Sequence, residues 1–161
     1  VTRDELLAAR TATWSDDERA MMANVVAALR PSPRHLADVL DWLDDIAARD
    51  GVRPGSVVAA PPLRAALGSP GSPPDRLKRW KEALRRLRYP RLAAREQALA
   101  TAVRALELGR GVTIAAPAGL EGGTVTITIR AGSAAELDAS LARVERARQT
   151  GELARLFDLL D

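Results

Sequence analysis

Apolar residues recur every three or four positions over most of the chain, which predicts helices, and switch to strict alternation in one short region, which predicts strands. Met21, Met22, Val25, Val26 and Leu29 form a helical run that Pro31 stops. Leu36, Val39, Leu40, Leu43 and Ile46 make the clearest stripe, with Pro33 suited to a first helical position and Gly51 to a left-handed end. Residues 52–74 are rich in Pro, Gly and Ser and read as a joint carrying a short helical piece around Leu63 to Leu67. From about Pro73 to Tyr89, Leu77, Trp80, Leu84 and Leu87 predict another helix, which Pro90 breaks before Leu92, Leu99, Val103 and Leu106 continue it.

Beyond Gly109 and Gly111 the period becomes two. Val112 and Ile114, then Val125, Ile127 and Ile129 with Thr124, Thr126 and Thr128 opposite, predict a hairpin turned by the glycines of 119–123. Leu137, Leu141 and Val144 are expected to cover its apolar face, and Leu153, Leu156, Phe157 and Leu160 to form a last short helix. Four helix starts carry a hydroxyl followed three residues later by an acid: Thr2 with Glu5, Ser15 with Glu18, Ser72 with Asp75, and Ser133 with Glu136. The expected fold is α+β and predominantly α-helical. It comprises a helical part at 1–51, the joint at 52–74, and a part at 73–161 made of a long helix broken at Pro90 and an antiparallel hairpin packed under two helices. All of this is short enough to close into one compact domain.

Composition narrows the core. Of 161 residues, 47% are apolar, yet the aromatics are only Trp14, Trp42, Trp80, Tyr89 and Phe157, so Leu, Val, Ile and Ala must fill the interior. Without cysteine there is neither a disulfide framework nor a thiolate metal site. No apolar run is long enough to span a bilayer, and Val1 to Glu5 lack the apolar core of a secretory signal, so the expectation is a cytoplasmic protein with no membrane attachment.

Charge changes the picture most. The net charge is only +3, but residues 76–95 hold nine basic side chains and one acidic one, while the flanking stretches are both acidic. Lys78, Lys81, Arg85 and Arg88 are expected to project away from the apolar stripe, flanked by Arg79 and Arg86, with Arg91 and Arg95 following Pro90. Like charges three and four apart destabilise a helix by a few tenths of a kcal/mol per pair. A polyanion would relieve that repulsion, so the sequence points to phosphate contacts with DNA or RNA. Other readings compete: a solvated outer face, pairing with Asp38, Asp41, Asp44 and Asp45 of the same chain, docking of the basic helix on an acidic protein partner, or attachment to an anionic membrane surface, for which large apolar anchors are lacking.

Catalytic equipment is sparse. His35 is the single histidine and opens a helix, where a charged imidazole would oppose the helix dipole, so a surface or structural role is favoured. Asp41 and Asp45 lie one turn apart but have no further carboxylate motif to complete a cation site. Gly109 to Gly111 and Gly119 to Gly123 lack the strand-then-helix context of a nucleotide cradle. Tyr89 precedes a proline and Trp80 belongs to the apolar stripe, so for Trp80 core packing is favoured over base stacking. The sequence therefore predicts a non-enzymatic protein with no cofactor and no metal. The strand Thr124 to Arg130, threonine-rich and free of proline, is expected to pair along its open edge with a second copy or a partner strand.

Overall fold

The computed structural model describes residues 1–160, which form nine helices and one two-stranded antiparallel sheet. The chain divides into two compact units, Val1–Tyr89 and Pro90–Asp161.

The first unit is all helical: α1 (Arg3–Arg10), α2 (Asp16–Leu29), α3 (Pro33–Asp50), α4 (Pro54–Val58), α5 (Pro61–Leu67) and α6 (Pro73–Arg88). Thr2 and Ser15 close reciprocal capping boxes with Glu5 and Glu18, and Ser32 and Ser72 cap α3 and α6. Gly51 ends α3 in the left-handed conformation, at φ +66°. One contiguous core gathers Met22, Val25, Val26 and Leu29 of α2, the whole Leu36 to Ile46 stripe of α3, and Leu77, Trp80 and Leu84 of α6.

Residues 52–74 do not form a joint. They fold into α4 and α5, whose Val57, Val58 and Leu63 are buried in that same core, and the division of the chain falls instead at Tyr89 and Pro90. The prolines that give this stretch a linker composition stand at helix starts, Pro54 in α4 and Pro61 in α5, where a missing amide costs nothing. Gly55 lets α4 approach α2: a Cβ there would lie 2.5 Å from Cβ of Glu18.

The second unit contains α7 (Pro90–Ala105), β1 (Val112–Ala115), β2 (Thr126–Ile129), α8 (Ala134–Gln149) and α9 (Glu152–Asp158). In the hairpin Val112 faces Ile129 and Ile114 faces Ile127. Its interior is two small clusters, one around Leu99, Leu120, Leu156 and Leu160, the other around Leu108, Val112 and Ala147. The expected cover by α8 is only partly realised. Val144 packs on the second cluster, but Leu137 and Leu141 are exposed, because α8 turns its small residues Ser140 and Ala147 inward.

Candidate nucleic-acid interface

Helix α6 starts at Ser72, whose hydroxyl accepts from the Asp75 amide, and two prolines fill its first turn. Leu77, Trp80 and Leu84 then fix which side faces the core. Lys81 and Arg88 each follow a buried leucine by four residues, so helix geometry places them beside the stripe rather than away from it. This corrects the orientation expected of Lys78, Lys81, Arg85 and Arg88 as one outward group. Lys81 and Arg88 are largely covered, with side chains 23% and 27% exposed.

Their partners lie on α3. Lys81 Nζ is 3.4 Å from Asp38 Oδ2 and 5.3 Å from the centre of the Trp42 ring. Arg88 Nη2 is 2.5 Å from Asp45 Oδ2, and its guanidinium lies 5.5 Å from Trp42 and 5.0 Å from Tyr89. Arg85 forks onto Glu82 with two hydrogen bonds of 3.0 Å. The Arg85 and Arg86 guanidiniums hold the Glu82 carboxyl below its usual range, Arg85 contributing more. Arg49 of α3 closes the end of α6, donating to the carbonyls of Leu87 at 2.9 Å and Arg88 at 2.6 Å.

The outer side of α6 is different. Lys78, Arg79 and Arg86 are exposed. Arg86 Nε donates to Glu82 Oε1 at 3.1 Å. Arg79 folds back on the Pro70 carbonyl, over Gly71 at φ +123°, where a Cβ would meet the guanidinium at 2.6 Å. These three cations line an open cleft of about 850 Å³ together with Asp75, Glu82, Pro62, Ala83 and Leu87. A second groove of about 600 Å³ runs past His35, Trp42, Pro74 and Leu77. Arg91 and Arg95 are exposed on the first turns of α7 in the second unit, where Arg95 reaches the Leu159 carbonyl at 3.3 Å.

The acidic face of α3 is committed to cations of the chain. Arg10 lies 2.8 Å from Asp41 and 2.7 Å from Asp44, and Arg88 takes Asp45. Among the described residues no three His, Cys, Asp or Glu side chains come together as metal ligands. His35 is exposed, its amide donating to Ser32. The residue missed in the sequence is Trp42, the platform under two cations. Its signal was present: Asp38, Trp42 and Asp45 on α3 have the same spacing as Lys81, Arg85 and Arg88 on α6, the pattern of two helices meeting along a charged seam.

Compared with known proteins, the chain matches no family model, no curated protein and no solved structure. No helix among the described residues is long and apolar enough to cross a membrane.

Proposed function

We propose that this protein binds nucleic acid without catalysing a reaction, as a subunit of a nucleic-acid-bound assembly in the cytoplasm, and that phosphates are contacted by the outer ridge of α6. The observation that carries this reading is the division of the α6 cations. Lys81, Arg85 and Arg88 are part-covered and paired with Asp38, Glu82 and Asp45, whereas Lys78, Arg79 and Arg86 are exposed on one side, Arg86 sharing Glu82 with Arg85. A phosphate approaching that side meets the fork of Arg86 and the flexible charge of Lys78 without breaking a core contact. Arg91 and Arg95 of the second unit are further exposed cations, proposed as separate phosphate contacts.

Three neutralised phosphates give a log–log salt slope of about −2.7 on duplex DNA, so affinity drops about 40-fold between 50 and 200 mM salt. The test is that slope for the native chain and for Lys78→Ala with Arg79→Ala and Arg86→Ala, on duplex DNA and on structured RNA. Loss of binding with the fold retained supports the reading; unchanged binding and slope overturn it.

A second reading, docking on an acidic protein, is favoured by one observation. The cleft beside α6 joins apolar residues to three cations that outnumber its two carboxylates, Asp75 and Glu82, which suits an acidic segment with apolar anchors. Absence of binding to both nucleic acids, with an acidic peptide held in its place, would select it.

A further inference from the structure

The second unit leaves an apolar ridge open. Ile127 of β2, Leu137 and Leu141 of α8, and Phe157 of α9 are 39%, 41%, 48% and 49% exposed. They are continuous. Leu137, Leu141, Val144 and Arg148 fall on one stripe of α8, and Arg148 lines a groove of about 440 Å³ with Ile127 and Phe157. Beside this ridge runs the free edge of β2. Arg130 donates its amide to Gly111, on the β1 side. By the alternation of an antiparallel ladder, the backbone groups of Val125, Ile127 and Ile129 point to the free edge.

We infer that this face pairs with a second copy of the chain about a two-fold axis through Ile127. The proposal is independent of the nucleic-acid reading. Three features fit the chain's own copy. An axis at Ile127 sets Ile127 against Ile127, Val125 against Ile129, and Thr126 against Thr128, so apolar meets apolar and threonine meets threonine. The one charge in the strand, Arg130, falls opposite Thr124, and no like charges meet. The same axis, perpendicular to the sheet, lays α8 antiparallel to its copy, since both helices lie on one face. One operation thus satisfies the strand edge and the apolar ridge together. The four exposed side chains contribute on the order of 300 Å² of apolar surface per copy. That suffices for the centre of an interface of about 800 Å² per partner.

The absence of cysteine allows a clean test in the full chain. Ile127→Cys places two thiols at the axis, about 5.5 Å apart between Cα atoms. Thr113→Cys, exposed on β1, places them three strand spacings apart, about 14 Å. A short bismaleimide should join the Ile127→Cys chains and leave the Thr113→Cys chains single. Light scattering of the native protein should give twice the 17.2 kDa chain mass at micromolar concentration. Leu141→Glu, a change at an exposed position, should return it to the single mass with an unchanged circular dichroism spectrum. A single mass for the native chain overturns the proposal. So does a dimer that Leu141→Glu leaves intact, or cross-linking at Thr113→Cys instead of Ile127→Cys.

Discussion

The two units are built from similar apolar patterns and end in different states of completion. In the first, Leu36, Leu40, Leu43, Leu63, Leu84 and Trp80 are almost fully buried in one core shared by its helices. In the second, a hairpin of two four-residue strands is covered on one face by helices whose larger side chains partly miss it. The difference lies in how many layers flank each element. A stripe on α3 meets neighbours along its length, whereas two strands alone are marginal in water and keep two open edges. Apolar periodicity states which side of an element avoids water; it does not state whether the same chain supplies the cover.

The largest expected contrast follows from truncating leucines in both units. Leu40→Ala and Leu84→Ala should each cost about 2 to 5 kcal/mol in chemical denaturation. Leu141→Ala, in protein dilute enough to be single, should change stability by less than about 0.5 kcal/mol. Equal losses at Leu84 and Leu141 would break the comparison.

Smaller effects sharpen it. Gly55→Ala should destabilise the first unit by about 1 to 3 kcal/mol, because the added methyl meets the Glu18 side chain and α4 must move off α2. Ser15→Ala, removing the cap of α2, should cost about 1 kcal/mol in the same measurement. Arg88→Ala should cost at most about 1 kcal/mol, since its pair with Asp45 remains partly solvated. It should leave the salt dependence of nucleic-acid binding unchanged, unlike substitution of Lys78, Arg79 and Arg86.

The smallest effect is on pH. Glu145, exposed at the end of α8, is lowered to about 2 by the guanidinium of Arg148 and then the amide of Gln149. A carboxyl depressed in the folded state stabilises above its unfolded value, near 4.5, and the contribution disappears as pH falls towards 2. Carboxyl chemical shifts should show Glu145 titrating near 2, and α8 should fray in that window while α3 keeps its signals. A midpoint near 4.5 would show that the pair does not persist in solution.

Much of the fold was legible because its signals are local. Ser15, Ser72 and Ser133 mark helix starts through hydrogen bonds to the residue three positions on, and the alternation from Val112 to Ile129 needs only one face of contact. What was hidden depends on neighbours distant in sequence. Pro54 and Pro61 read as linker residues until Val57, Val58 and Leu63 find the core beside α2 and α3. The basic helix shows the same limit. Charge density alone groups Lys81 and Arg88 with Lys78, and only the i+4 relation to Leu77 and Leu84, together with Asp38 and Asp45 on α3, separates seam from surface.

Residue-resolved hydrogen exchange of the full chain at two protein concentrations tests the contrast between the units most directly. The amides of Leu40 and Leu43 should exchange only through global unfolding and at the same rate in both samples. The amides of Val125, Ile127 and Ile129, directed at the free edge of β2, should exchange fast in dilute protein and gain protection as concentration rises. Strong protection of those three amides in dilute protein, unchanged by concentration, would contradict an open second unit.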